Sequence, residues 1–174
     1  MTDEIASAAR AFVERVRSDP QHRSESFSVH TELAKGTHVK AQVRSFILEY
    51  DEPPSIGGED LGPGPAESTL AALGASLIQF YAIQSRLLEV PLEGVEVEVT
   101  GELDLTGVFQ TVPGAIPGYS SIHFRTRLQS SADRDAIETL ISVVEATTPV
   151  LASFRNPVPV TGTTSIQRGS QSGG

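Results

Sequence analysis

The first hydrophobic pattern in the chain has the period of a helix. Apolar residues recur at intervals of three and four between Ile5 and Val16, acidic residues precede them, and Pro20 follows. Residues at such intervals share one face of an α-helix, and a proline beyond the last turn ends it. We therefore predict an amphipathic helix over residues 1–20.

The pattern then changes to the alternation that is typical of β-strands. One run covers residues 25–34, Lys35-Gly36 interrupts it, and a second run continues from His38 to Tyr50. This arrangement predicts a hairpin. Within the second run the apolar positions change from odd to even numbers near Arg44-Ser45, which a β-bulge would explain.

The segment 51–64 is rich in proline and glycine, which predicts a loop, and Pro65 suits the first turn of a helix. We predict that this helix continues to about Glu89. Its apolar residues occupy nearly every side between Leu70 and Ile83. Such a helix must be buried all round, by other elements or by a second copy of the chain.

Two further alternating segments, "EGVEVEVTGELDL" and "YSSIHFRTRLQS", carry opposite charges on their polar faces. Opposite charges across neighbouring strands are favourable, so these segments are expected to pair. Ser131 is a candidate N-cap for a third helix, whose first turn would contain Asp133 and Asp135.

The remaining predictions concern the C-terminal part. Thr148-Pro149 resembles an N-cap followed by a first-turn proline, which predicts a short helix through Phe154. Residues 156–161 are expected to add an edge strand, and the Gly/Ser/Gln-rich residues 162–174 are expected to be disordered.

Composition narrows the classes of function. The 174 residues include 13 basic and 22 acidic side chains, for a net charge of −9, and this disfavours nucleic-acid binding. The most apolar segment is interrupted by polar residues and falls short of a membrane span, and the N-terminus lacks the pattern of a secretory signal. We therefore expect a cytoplasmic protein without a membrane partner.

The candidates for metal or cofactor chemistry are weak. His22, His30, His38 and His123 do not have ligand spacing on a predicted helix, and the glycine-rich loop has neither Walker nor dinucleotide spacing. We predict no metal and no cofactor. The chain has no cysteine, which excludes disulfides, thiolate metal sites and thiol chemistry together.

Four local patterns, in this order, resemble the OsmC/Ohr family of thiol-dependent hydroperoxide reductases. They are "DEPPSIGGEDLGPGPAESTLAALGAS" at 51–76, "PLEGVEVEVTGELDL" at 91–105, "TPV" at 148–150 and "RNPVPV" at 155–160. The resemblance implies an α+β fold, with a long central helix wrapped by antiparallel sheets in an interwoven homodimer. It also implies a domain over residues 21–161, with the first helix and the tail as additions.

The chain departs from that family at the positions that carry its chemistry. The resemblance places a peroxidatic cysteine where this chain has Ser76 and a resolving cysteine where it has Thr148. It also assigns Glu67 to the family's loop glutamate, and an arginine of the second strand, Arg44, would complete the site. A thiolate attacks the peroxide bond and is rescued as a disulfide, which a serine hydroxyl cannot do.

Each of these residues also has a structural explanation. Ser76 could be a small helix residue whose hydroxyl donates to the carbonyl four residues earlier, and Thr148 could be only an N-cap. Glu67 could simply favour a helix N-terminus. Nine residues at 100° each place Glu67 and Ser76 on opposite sides of a continuous helix, so a shared pocket requires a bend before the helix begins.

The sequence therefore predicts an OsmC-like homodimer that has lost peroxidase activity. Its expected pocket between the chains is lined by Ser76, Glu67, Phe80 and Arg44 and accepts a small, partly apolar molecule. Two alternatives remain at this point: a purely structural dimer, and an enzyme of non-thiol chemistry that uses Ser76 and Glu67.

Overall fold

The computed structural model describes residues 2–167 and shows a mixed fold of helices and antiparallel sheets, as the sequence predicts. The strands form one three-stranded sheet of order β1-β2-β3 and one two-stranded sheet of order β4-β5. Short 3-10 helices lie at Pro20–Arg23 and Pro54–Ile56. The other elements are α1 Thr2–Ser18, β1 His30–Lys35, β2 His38–Val43, β3 Phe46–Tyr50, α2 Pro65–Leu87, β4 Gly94–Leu103, α3 Leu105–Val108, β5 Tyr119–Gln129, α4 Arg134–Thr147 and α5 Pro149–Arg155.

The predicted β-bulge at Arg44-Ser45 is wrong, because these two residues form a hairpin turn. β2 and β3 are separate antiparallel strands, with Val43 opposite Phe46, and Arg44 has a φ of 54°. Directly opposite residues of an antiparallel pair lie on the same face. Odd positions before the turn and even positions after it therefore face the same side, which explains the change of phase.

One face of the β1-β2-β3 sheet, which we call the open face, is apolar and largely uncovered in the single chain. Its register brings together Leu33, Val39, Ala41, Phe46 and Leu48, with Ala41 opposite Leu48 at the centre. Ala41 is buried, but the larger Leu33, Phe46 and Leu48 are exposed. The sheet makes at most marginal contact with the helices of its own chain. A sheet with an apolar face normally needs a second layer to cover it.

The core lies on one side of α2. Leu73, Leu77 and Tyr81 of this helix are buried against Leu140 and Val144 of α4, and the β4-β5 sheet covers them from another side. Ala71, Ala72 and Ala75 are exposed in the single chain. The predicted burial on all sides is therefore not reached within one chain.

The β4-β5 pairing confirms the prediction made from charge. Glu96 lies opposite Arg127 and Glu98 opposite Arg125, with nitrogen-to-oxygen distances of 3.1 and 3.6 Å. All four side chains are exposed, so each ion pair contributes at most about 1 kcal/mol. Their main effect is to favour this register over others.

Several boundaries differ from the sequence prediction. α4 is capped by Asp133, whose carboxylate accepts from the Ala136 N–H at 2.8 Å, whereas the predicted cap Ser131 donates to Glu93 at 2.7 Å.

The ends of other elements also differ from the prediction: β1 begins only at His30, and α2 ends at Leu87. The predicted strand over 156–161 is absent from the described residues, and the short helix α3 was not predicted. Residues 162–167 have no regular structure, and the rest of the predicted disordered tail lies outside the described residues.

The first helix is where the sequence places it, although its own apolar face is only partly covered. Ile5 and Phe12 remain exposed, and Arg10 bonds Glu89 beyond the end of α2 at 2.8 Å. Over residues 2–167, no single helix is long and apolar enough to cross a membrane, and only α4 and α5 taken together, bent by 65°, have the required length and composition.

Candidate functional site

Ser76 lies in the middle of α2 and is almost completely enclosed, with 8% of its surface exposed. Its hydroxyl makes no hydrogen bond to any part of the chain that the structure describes, so it does not donate to the Ala72 carbonyl four residues earlier. Over residues 2–167, no carboxylate or imidazole is bonded to it either. Within this part of the chain, Ser76 therefore has no partner that could activate it as a nucleophile.

Thr148 is fully buried at the junction of α4 and α5. Its hydroxyl donates to the Val144 carbonyl at 2.7 Å, and it makes no side-chain cap to α5. The position predicted for an N-cap is correct, but the bonding is not. The hydroxyl donates to the last turn of α4 and accepts from no N–H of the first turn of α5.

Glu67 is the third residue of α2, and its carboxylate accepts from the Gly64 N–H at 2.8 Å. This contact satisfies a backbone donor that the helix cannot bond itself. Because α2 is continuous from Pro65, Glu67 and Ser76 lie on opposite sides of it. Within one chain they do not share a pocket.

Arg44 lies at the tip of the β2-β3 hairpin, with its guanidinium carbon 5.2 Å from the centre of the Phe46 ring. Since this sheet scarcely touches α2, one chain does not bring Arg44 to Ser76. Phe80 is half-buried against the core. The predicted constellation of Ser76, Glu67, Phe80 and Arg44 is thus not assembled by a single chain.

A groove lies between α2, α5 and the end of β3, and we call it the α2–α5 groove. Its volume is about 430 Å³. Ala72 of its wall lies one helical turn before Ser76, and Val150 lies two residues after Thr148, but neither hydroxyl residue lines the groove. Its lining is mainly apolar and comprises Tyr50, Pro65, Ser68, Thr69, Ala72, Val150, Ser153 and Phe154.

The residues that line this groove carry no signal of a site in the sequence. The sequence pattern places Tyr50 in a strand and Phe154 at the end of a short helix, and it indicates nothing more about either residue. Phe154 is exposed, and it lies beside Ala72 only because α5 folds back on α2. No local sequence pattern reveals how α5 folds back.

The loop beside the groove is fixed by Asp51, which is buried at the end of β3. Its carboxylate accepts from the Thr37 hydroxyl at 2.6 Å and from the N–H groups of Glu52, Glu59 and Leu61 at 2.9, 3.0 and 3.3 Å. These bonds, that of Thr37 foremost, lower the pKa of Asp51 from 3.8 to about 2. An ionised Asp51 therefore holds the proline- and glycine-rich loop in place.

Comparison with known proteins identifies the family. A family model described as OsmC-like protein matches residues 57–162. The chain belongs to the OsmC-like protein family. No curated protein matches the chain significantly. Over residues 2–167, no group of three or more His, Asp or Glu side chains is arranged to hold a metal ion.

Solved structures with the same fold include several OsmC-like proteins. An OsmC-like protein from Mycoplasma pneumoniae aligns with a TM-score of 0.66 and 17% identity, covering 77% of this chain and 90% of that one. The organic hydroperoxide resistance protein OsmC of Legionella pneumophila aligns with a TM-score of 0.56 and 15% identity, covering 75% and 90%.

A third relative is a Vibrio cholerae protein assigned to organic hydroperoxide resistance, with captopril bound in one of its active sites. It aligns with a TM-score of 0.55 and 15% identity, covering 77% of this chain and 88% of that one. At these identities the likenesses establish the fold of this OsmC-like protein. Its sequence contains no cysteine, so it has no side chain that can carry out thiol chemistry.

Proposed function

We propose that this OsmC-like protein is a homodimer that binds a small, partly apolar molecule and does not reduce hydroperoxides. The observation that carries the proposal is the replacement of both expected cysteines by buried hydroxyl residues, Ser76 and Thr148. On this proposal residues 21–161 form the family domain, and residues 1–20 and 162–174 are additions.

The chemistry of the two hydroxyl residues supports the loss of peroxidase activity. Hydroperoxide reduction by this family needs a thiolate that accepts oxygen, becomes a sulfenic acid and then forms a disulfide. A serine hydroxyl has no low-pKa anion at neutral pH and cannot form either product. Thr148 is even less able to react, because its hydroxyl already donates to the Val144 carbonyl.

Uncovered apolar surface supports the homodimer. The open face leaves Leu33, Phe46 and Leu48 exposed, and the small residues Ala72 and Ala75 of the central helix are also exposed. Contiguous apolar surface of this kind usually marks an interface. A second copy that covers both surfaces would also provide the route by which Arg44 of one chain could reach Ser76 of the other.

The α2–α5 groove supports a binding role. Its volume of about 430 Å³ lies within the range of sites for small molecules, and its wall is mainly apolar with the hydroxyls of Ser68, Thr69 and Ser153. A binding role is also supported by the Vibrio cholerae relative, which has captopril bound in one of its active sites.

Two measurements test the proposal. Purified protein incubated with cumene hydroperoxide and a dithiol should consume no peroxide beyond the uncatalysed rate, with a cysteine-containing relative as the positive control. Native mass spectrometry should show a dimer that carries additional small mass or acquires it from a compound library. Steady peroxide turnover would overturn the loss of activity, and a monomer would overturn the architecture.

The same spectra and a turnover assay on variants distinguish the alternatives. A dimer that never acquires a ligand favours a purely structural role. An enzyme of non-thiol chemistry would require that Ser76→Ala or Glu67→Gln abolishes a turnover while the fold is retained.

A further inference from the structure

We propose a second binding site, on the other side of α2, for a neutral and mainly apolar molecule that carries one hydroxyl group. We call it the Tyr81 cleft. It is a partly open space of about 410 Å³ between α2, α4 and β5. Tyr81 forms its α2 wall and lies nine residues after Ala72, so the cleft and the α2–α5 groove are on opposite sides of the helix. The site is independent of the function proposed above.

The cleft lies where α4 packs on α2 and where side chains of β5 reach the same core, while α4 and β5 scarcely touch each other. Ile137, Ile141 and Glu145 follow one another at four-residue intervals along the face of α4 that borders the cleft. Protein interiors are normally packed without voids much larger than a water molecule. A gap of this volume between two elements of the same core is therefore a candidate ligand site.

The β5 wall is apolar except for one hydroxyl. Phe124, Thr126 and Leu128 are alternate residues, and all three line the cleft. Thr126 therefore takes a place in the inward row that its neighbours fill with apolar side chains. Its hydroxyl oxygen is buried and has no hydrogen-bond partner within the part of the chain that the structure describes.

Tyr81 provides a second hydroxyl. Its side chain is 2% exposed, and burial raises the pKa of its phenol, an effect that Thr126 opposes and Glu145 reinforces. The hydroxyls of Tyr81 and Thr126 are neighbours but do not reach the geometry of a hydrogen bond. A buried hydroxyl without a partner is unfavourable, so the Thr126 hydroxyl gains from a ligand atom that can donate and accept, and the Tyr81 hydroxyl beside it offers that atom a second contact.

Glu145 sets the charge that the cleft accepts. One of its oxygens, Oε2, accepts from Arg155 at 2.9 Å, and this pair lies at the edge of the cleft. The negative charge of Glu145 would repel a ligand that carries a carboxylate. Glu145 would attract a cationic ligand only weakly, because Arg155 already compensates its charge. A neutral hydroxyl can donate to one of these oxygens and accept from another, which suits a phenol or an aliphatic alcohol.

The test measures the binding of 4-ethylphenol by isothermal titration calorimetry and by changes in the NMR spectrum. Saturable binding is expected, and 4-ethylbenzoate, which carries a negative charge, should bind more weakly. Thr126→Val and Tyr81→Phe remove one hydroxyl each with little change of shape, and each should weaken binding by about fivefold to tenfold. No saturable binding up to the solubility limit of the probe would overturn the proposal.

Two larger substitutions locate the probe. Ile141→Trp should fill the cleft and abolish binding, and since the chain has no tryptophan, a blue-shifted emission reports that the new ring has entered it. Ser153→Trp fills the α2–α5 groove and should leave the affinity for 4-ethylphenol unchanged. If Ser153→Trp abolishes binding and the hydroxyl variants do not weaken it, the probe occupies the groove, which contradicts this inference and leaves the proposed function standing. If Ile141→Trp does not fold, the two hydroxyl variants decide alone.

Discussion

The open face of the β1-β2-β3 sheet leads to a quantitative prediction about self-association. Leu48 lies at its centre, opposite Ala41, and 44% of its surface is exposed in the single chain. Ile47 precedes it on the opposite face of the same strand and is 56% exposed. The two side chains are isomers of similar exposure, so Leu48→Ala and Ile47→Ala form a matched pair.

The expected change in the dimer dissociation constant follows from the exposed fraction of Leu48. Removal of the apolar atoms of a fully buried leucine forfeits about 2 kcal/mol of transfer free energy, and the 44% that a partner would cover corresponds to about 1 kcal/mol in each copy. A symmetric interface contains the change twice, so the dimer loses about 2 kcal/mol. Since 1.4 kcal/mol is a factor of ten, the dimer dissociation constant should rise about 25-fold for Leu48→Ala.

Sedimentation equilibrium over a range of concentrations measures this constant directly. Ile47→Ala should change it less than about twofold, because its face of the sheet, with Lys40 and Glu49, is charged. Equal effects of the two substitutions, or an effect of Ile47→Ala alone, would refute the assignment of the interface to the open face. Circular dichroism must show that both variants retain the fold.

The remaining predictions concern stability. Because the folded pKa of Asp51 is lowered from 3.8 to about 2, its contribution to stability is present above pH 4 and is lost as the pH falls towards 2; thermal unfolding should show this loss in the wild type and not in Asp51→Asn. Leu77→Ala should lower the free energy of unfolding in urea by about 2–5 kcal/mol because Leu77 is fully buried, and the exposed Leu88→Ala should lower it far less. Glu67→Ala should cost about 1 kcal/mol in the same assay and Glu67→Gln much less, because glutamine can still accept from the Gly64 N–H; an equal loss for both would contradict the capping role.

The sequence was most informative where a local pattern has a single physical cause. The helical period before Pro20, the first-turn position of Pro65 and the opposite charges of β4 and β5 each predict what the structure contains. The sequence prediction is wrong at Arg44-Ser45, where a bulge was expected, and at Ser131, which was expected to cap α4. A turn and a bulge produce the same change of phase along the sequence, and two neighbouring polar residues can each cap a helix, so only the folded backbone distinguishes them.

For the candidate site, the sequence supplies candidate residues and not their arrangement. The resemblance implies roles for Ser76, Thr148 and Glu67, but the direction of each side chain follows from packing. Thr148 is bonded within α4, and Glu67 caps α2 on the side away from Ser76. No pattern in the sequence indicates the Tyr81 cleft, except that Thr126 occupies an inward position of β5 where an apolar residue is expected.

By itself, the sequence determined the chemistry that this protein lacks and the elements from which it is built. A chain without cysteine cannot perform thiol chemistry in any conformation, and the periodicity of its apolar residues is a property of order along the chain. The tertiary structure decided which apolar faces meet, which remain uncovered, and where the core leaves space. These properties depend on contacts between residues far apart in sequence, such as Tyr81 with Thr126 and Glu145, and local patterns do not encode such contacts.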